Sequence, residues 1–294
     1  MNRCDNDNVL KSMLQSLYSK NGNAIEHVIH SLCKYPEDVR HFNVIQVGTS
    51  SAHADDLIQK IKTSYKDVLE QTLYAKEIDT ASRGPFGMAK IELKEGATPS
   101  KNRFYRANGD REVALDELIK SMLKKGWIVP SKSAWAAQAF LVPKPAGPDG
   151  KKDWRLVVDY RYLNSQTKYY GFPIPIIEDL INKQALNSLW SIFDLQDGFH
   201  QMHLHPDSQE CTAFVTSRGV YHWTVLPMGV KNGPAMFQRM IQWILKKLSQ
   251  VMVYIDDELV RAATKIRSMS LGAQLYMVVN VMMERFRRHH FFVN

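Results

Sequence analysis

The stretch QVMVYIDDELV, residues 250–260, sets Asp256 and Asp257 side by side directly after a run of apolar, strand-forming residues. Adjacent carboxylates repel, and taking either out of water is costly unless a positive group sits beside it. Two arrangements meet that constraint: a turn facing solvent, or a site that holds a cation. Taken singly, an Asp after a strand is a turn residue or a helix cap far more often than a ligand. The cation reading therefore needs further acids at strand ends elsewhere in the chain.

The segments upstream supply one. LWSIFDL (189–195) reads as a strand ending in Asp194, and ECTAFVTSRGVYHWTVL (210–226) as two strands around a Ser-Arg-Gly turn. NGPAMFQRMIQWILKKL (232–248) opens with Gly233 and Pro234, residues that favour a helix start. It keeps Phe237, Ile241, Ile244, Leu245 and Leu248 on one side. The order strand, helix, strand, strand, helix, strand from about 189 to 260 predicts an α+β fold, a ferredoxin-like split βαβ sheet with helices on one face. In such a sheet the first and third strands are neighbours, so Asp194 meets the Asp256–Asp257 pair at one edge.

Further toward the N-terminus, DREVALDELIKSMLKKGWIVPS (110–131) predicts a helix with Leu115, Leu118, Ile119, Met122 and Leu123 on one face. Its start is acidic, Lys124 and Lys125 lie in its last turn, and Gly126 stops it. QAFLVPKP (138–145), the turn AGPDGKKD (146–153) and WRLVVDYRYLN (154–164) read as a strand, a loop and a second strand, with Lys144, Lys151, Lys152 and Arg155 making the tip cationic. Residues 84–106 read as a Gly- and Pro-containing connector. Residues 1–83 read as a helical extension of unassigned role, on the period of Leu57, Ile58, Ile61, Tyr65, Val68 and Leu69.

Composition limits the partners. A chain of 294 residues with 45% hydrophobic content has enough apolar side chain for a large core. No run approaches the roughly 18 apolar residues a membrane span needs, and the N-terminus lacks a signal-peptide apolar stretch, so the expected location is intracellular. Cys4, Cys33 and Cys211 are odd in number and lack metal-ligand spacing, which predicts reduced thiols. The formal net charge of +8 favours an anionic partner, and six Lys/Arg against one acid gather in residues 261–294.

Carboxylates meeting at a sheet edge suit Mg²⁺, which takes few carboxylates and completes its shell with water and phosphate oxygens. Two such ions about 4 Å apart activate a 3′ hydroxyl and stabilise a leaving pyrophosphate. The motifs WRLVVDYRYLN, FDLQDGFHQMHLHP (193–206), TAFVT (212–216), YHWTVLPMGVKNGPAMFQ (221–238) and VYIDDELV (253–260) occur in the order and approximate spacing of reverse transcriptase fingers and palm. They look most like those of LTR retrotransposons of the Ty3/gypsy type. PSKSAWAAQAFLVPKP (130–145) resembles the fingers of that family. The likeness spans roughly 90–260 and returns in VMMERFRRHHFFVN (281–294).

This resemblance implies an RNA-directed DNA polymerase with the right-hand fold, using two Mg²⁺ ions, or Mn²⁺ in their place, a dNTP, and a primer on an RNA or DNA template, without membrane association. It implies residence in the cytoplasm, a virus-like particle or the nucleus. Asp194 matches the first metal ligand, and Asp256 and Asp257 the pair of a Tyr-X-Asp-Asp motif whose Tyr254 lines the primer terminus. Phe199 falls where the family keeps a ring under the sugar of the incoming nucleotide, excluding a 2′ hydroxyl, a plain core residue being the lesser alternative. Arg155 with Lys151 or Lys152 matches the triphosphate contacts of the fingers, the two lysines being indistinguishable here. Met228 aligns with a nucleotide-contact position or packs internally. Gly229 and Gly233 permit close backbone approach to nucleotide and template, and Gln238 and Arg239 align with template contacts.

Two departures stand against the likeness. RAATKIRSMSLGAQLYMV (261–278) differs from the family, with Gly272 expected to interrupt any helix at about 1 kcal/mol relative to Ala. The thumb and ribonuclease H domain of the family are not represented in residues 84–294. A non-catalytic retroelement remnant, either inert or a nucleic-acid-binding fragment, and a palm-type RNA polymerase are the competing readings. Phe199 and the Tyr-Ile-Asp-Asp form favour a DNA polymerase over the last.

Overall fold

The computed structural model describes residues 43–45, 59–69, 73–100, 104–105, 108–144, 153–176, 190–261 and 271–293. In chain order its principal elements are β1 (Asn43–Ile45), β2 (Met88–Ala89), α1 (Asp110–Lys124), β3 (Ile128–Pro130), β4 (Ala137–Pro143), β5 (Trp154–Asp159) and α2 (Arg161–Gln166). Then follow β6 (Trp190–Asp194), β7 (His203–Leu204), β8 (Phe214–Thr216), β9 (Gly219–Trp223), α3 (Gly233–Ile244), β10 (Val251–Tyr254), β11 (Asp257–Arg261) and α4 (Leu271–Arg288).

The strands from 190 to 261 do not form the single sheet expected from their order. β6, β10 and β11 join β1 in one sheet ordered β1-β6-β11-β10, whereas β8 and β9 belong to a second, ordered β3-β9-β8-β4-β5. Their pairing partners explain the split. β9 runs antiparallel to β3 through Ile128↔Trp223, and β8 runs parallel to β4. Apolar residues buried on both strands, Phe214, Tyr221 and Trp223, pack there with Ile128 instead of reaching β6.

Two helices cover the first sheet. α3 buries Met236, Phe237, Met240, Ile241 and Ile244, the side predicted from spacing, with Pro234 in its first turn. α4 buries Leu275, Val278, Val279, Met282, Met283 and Phe286, a helical stripe continuous enough to carry an 18-residue helix. Gly272 sits in its first turn instead of its interior, so the expected interruption does not occur. α1 spans the predicted residues and buries Leu115, Ile119 and Met122, and Gly126 beyond it takes φ +69°, a conformation glycine adopts without strain. Leu123, expected on the buried face, is exposed.

Three further expectations change. The stretch 154–164 is a strand only as far as Asp159, then turns into α2, because Tyr160 is drawn inward and donates its hydroxyl to the Thr212 carbonyl at 2.8 Å. Within the residues read as a helical extension lies β1, antiparallel to β6 with Val44 opposite Ser191. Helical turns do occur at 59–64 and 66–69, where Ile61, Tyr65 and Val68 are buried; Leu57 and Ile58 lie outside the described residues. These join the same core as the rest, and the Val293 amide donates to the Val68 carbonyl at 3.0 Å, so among the described residues packing continues across residue 83. Cys211 is a buried thiol; Cys4 and Cys33 lie outside the described residues. Among the described residues no helix is long and apolar enough to cross a membrane.

β11 also carries Glu258 into the interior. It pairs across to Phe193 and Val253 and is fully buried, and among the described residues neither of its oxygens accepts a hydrogen bond. Burial, and after it the charges of Asp257, Asp256 and Asp194, hold its carboxyl well above the usual carboxylate range. Such a group enters the fold neutral, so its unfavourable contribution grows as pH rises above the unfolded value of about 4.3. Glu258→Leu is expected to stabilise the metal-free protein by about 1–3 kcal/mol. In thermal unfolding, its advantage over the parent should widen between about pH 5 and about pH 8.

Candidate active site

The Asp256–Asp257 pair does not end a strand into solvent; it closes a hairpin. β10 and β11 pair antiparallel with Tyr254 opposite Asp257, leaving Ile255 and Asp256 as a two-residue turn. Ile255 takes φ +57°. Tight hairpins favour glycine at such a position, and a β-branched residue there is strained by about 1–3 kcal/mol. Gln238, fully buried on α3, holds the turn in place: its Oε1 accepts from the Ile255 amide at 2.6 Å and its Nε2 donates to the Val253 carbonyl at 2.9 Å.

β11 lies against β6 with Asp257 directly opposite Asp194. Facing Cα atoms in an antiparallel pair stand about 4.5–5.5 Å apart, so these two acids, far apart in sequence, share one sheet end. Asp256 is fastened to the same place, its carbonyl accepting from the Leu195 amide at 3.1 Å. The proximity of all three acids is also registered at Glu258, whose carboxyl each of them shifts upward.

Immediately after Asp194 the chain makes a 3₁₀ turn, Gly198–Gln201, entered through Asp197 in the left-handed region at φ +50°. Gly198 rests on the acid pair: a Cβ added there would lie 2.5 Å from Asp256 Oδ1 and 2.8 Å from its Cγ. Only glycine leaves Asp256 its position. The next residue, Phe199, sets its ring edge-on to buried Phe237 with centroids 5.4 Å apart. His200 stacks between Trp127, at 4.4 Å and nearly parallel, and Trp223, at 5.1 Å. The structure therefore gathers Asp194, Asp256, Asp257, Tyr254 and Phe199 around one sheet end.

Other candidates are placed differently. Lys151 and Lys152 lie outside the described residues, and Arg155 sits on β5 of the second sheet, opposite Val142. Met228 is exposed in the loop before α3. Gly229 takes φ +89°, while a Cβ on it would meet only ordinary contacts, so its requirement is backbone conformation, not close approach. A Cβ on Gly233 would meet Val230 Cγ2 at 3.0 Å, so that glycine serves internal packing. Gln238 cannot reach a template, because it is buried beneath the hairpin turn. The Arg239 guanidinium packs on the ring of Phe86 at 4.1 Å and donates to the Tyr170 hydroxyl at 2.5 Å, half-buried in the cleft these rings line.

Two residues went unread in the sequence. Gly198 is legible only once the turn is known to cross Asp256. Asn164 pins the loop before α3, donating to the Gly229 carbonyl at 2.8 Å and accepting from the Lys231 amide at 2.7 Å. Its signal was the motif YRYLN itself, whose Asn lies on a helix rather than a strand.

Among the described residues no three His, Cys, Asp or Glu side chains close on one point as a preformed metal cage. The site is an open row of acids along one sheet end.

The description reverse transcriptase (RNA-dependent DNA polymerase) matches residues 142–294, through the stretch that reads as divergent. The chain is 30% identical over 237 residues to the retrovirus-related Pol polyprotein from transposon 412 of Drosophila melanogaster, covering 76% of this chain and 19% of that protein. It is 39% identical over 153 residues to the enzymatic polyprotein of figwort mosaic virus, 51% of this chain and 22% of the relative. It thus spans about a fifth of the length of these polyproteins. Among solved structures, the foamy viral protease-reverse transcriptase in complex with dsDNA superposes with a TM-score of 0.66 at 23% identity, over 84% of this chain and 48% of that one. The prototype foamy virus protease-reverse transcriptase in its native form gives 0.63 at 22% identity, over 81% and 30%. At that identity the likeness speaks for a shared right-hand fold.

Replacing Gln238 with Leu strands the Ile255 amide beneath a strained turn. The variant is expected to lose about 1–3 kcal/mol of stability, read by thermal or urea unfolding.

Proposed function

The chain belongs to the reverse transcriptase (RNA-dependent DNA polymerase) family, and from that premise we propose that it transfers nucleotides from dNTPs to a primer 3′ hydroxyl, within a Pol polyprotein of a Ty3/gypsy-type LTR retrotransposon. The observation that carries this reading is the register of β6 on β11, which sets Asp194 against Asp257 with Asp256 beside them. Asp194, Asp256 and Asp257 would hold two Mg²⁺ ions, or Mn²⁺ in their place. Bound there, the ions lower the pKa of the attacking hydroxyl and neutralise charge on the departing pyrophosphate.

The protein's own contribution is positioning. The hairpin turn, strained at Ile255 and clamped by Gln238, holds Asp256 against Gly198. Phe199, propped by Phe237, forms a floor for the sugar and leaves no space for a 2′ hydroxyl. Tyr254, opposite Asp257, lines the primer end. Arg155 and one of Lys151 and Lys152 bind the triphosphate, a task suited to fixed donors. The Met228–Gly229 loop, fixed by Asn164, forms the wall facing the base and template. RNA/DNA hybrid and dsDNA are bound by the foamy virus neighbours, and a primed RNA or DNA template is the corresponding partner here. Its phosphates match the chain's net charge of +8.

Primer extension on an RNA template with dNTPs and Mg²⁺ tests the proposal. Elongation is expected in the parent and a loss of about 10³-fold or more in Asp256→Asn. Absence of elongation in both, with folded protein, overturns it in favour of an inactive remnant. Gly198→Ala, which pushes a methyl into the Asp256 carboxylate, is expected to cost about 10²-fold in extension rate. Phe199→Val is expected to raise ribonucleotide incorporation relative to the parent.

A further inference from the structure

The turn Gly198–Gln201 is fixed at every residue, and at its last residue the fixing groups come from opposite ends of the chain. Gln201 is fully buried. Its Nε2 donates to the Gln196 carbonyl at 2.7 Å and the Phe292 carbonyl at 2.6 Å, while its Oε1 accepts from the Phe292 amide at 2.8 Å. Its own carbonyl accepts from Nη1 of Arg83. Arg83, also fully buried, donates Nε to the His289 carbonyl at 2.9 Å and Nη2 to the His290 carbonyl at 2.5 Å, and its guanidinium lies 4.0 Å over the ring of Phe291. One planar, forked cation thereby joins the segment at 83, the turn at 198–201 and the segment at 289–291.

Such an arrangement is costly. These hydrogen bonds of Arg83 go to backbone carbonyls, not to a carboxylate, and burial lowers its pKa to about 9. An apolar side chain would fill the same volume without that desolvation. What the guanidinium adds is a fixed orientation, since its donors point in set directions. The oriented group is the carbonyl two residues beyond Phe199, in a turn too short to move at one end without moving at the other.

We propose that Arg83 and Gln201 are positioning residues for sugar selection: through the 198–201 turn they set the height of the Phe199 ring relative to Asp256. This rests on the reading of Phe199 as the sugar gate. Arg83 lies outside residues 142–294, so the inference extends the selecting machinery beyond the segment that carries the family match. A slack turn lets the ring retreat, and space for a 2′ hydroxyl opens while the three acids stay where β6 and β11 put them.

The test uses the full chain and compares Arg83→Met, Arg83→Lys, Gln201→Met and Phe199→Val with the parent. Two quantities are read on one primed template: kcat and KM for dCTP and CTP in extension, and Kd for both nucleotides with a dideoxy-ended primer. The second needs no turnover. Arg83→Met and Gln201→Met are expected to raise KM for dCTP more than they lower kcat. They are also expected to reduce discrimination against CTP by about tenfold, equivalent to about 1.4 kcal/mol. Arg83→Lys, which keeps the charge but not the fork, is expected to fall between them and the parent. A purely structural role lowers the folded fraction and scales both nucleotides equally. Unchanged discrimination in the Arg83 and Gln201 variants, with relaxed discrimination in Phe199→Val, overturns the proposal. Unchanged discrimination in Phe199→Val overturns the gate reading beneath it. If Arg83→Met does not fold, Arg83→Lys and Gln201→Met decide the matter.

Discussion

The pairing of β6 with β11 is the constraint on which the site depends. Strand side chains alternate with a period of two, so a slip of one residue would send Asp257 to the opposite face from Asp194 and bring Glu258 out of the core. The register is defended from both sides. Phe193 and Val260 are fully buried, and β1 closes the far edge of β6. The acids are therefore assembled by apolar burial.

Around that pairing the protein accepts several local costs. Ile255 takes a backbone conformation that suits glycine, Asp197 another left-handed one, Arg83 is a buried cation and Glu258 a buried acid. Strain of this kind persists only where neighbours over-determine it. Gln238 answers for Ile255, and the carbonyls of Gln201, His289 and His290 answer for Arg83. For Glu258 the described residues offer no such compensation, and its presence beside three other acids is the one feature of the site without a physical account.

Much of this was readable beforehand, for definite reasons. The helices α1 and α3 announce themselves through apolar spacing and through Gly126 and Pro234, signals that act locally. The acids at strand ends were legible because Asp194 and Asp256–Asp257 each follow an apolar run. What could not be read is what depends on pairing between distant segments. Nothing in residues 210–226 says that β8 and β9 prefer β4 and β3 to β6, and nothing in 43–45 marks a strand that docks on β6. The burial of Gln238 and the ring contacts of Arg239 were unreadable for the same reason. Their polarity suggests a surface, while the hairpin turn and the rings of Phe86 and Tyr170 supply partners that only the folded chain brings near.

The segment His289–Val293 meets Arg83 and Gln201, pairs with Leu195 and reaches back to Val68. The contacts with Arg83 and Val68 join stretches more than two hundred residues apart, and closures of that span come late in folding. On the ribosome, the segments that carry the acids and the 198–201 turn are made before residues 289–293, which hold that turn through Gln201. The turn that abuts Asp256 thus gains its last fixing partners only once residues 289–293 have been made and have folded back onto it.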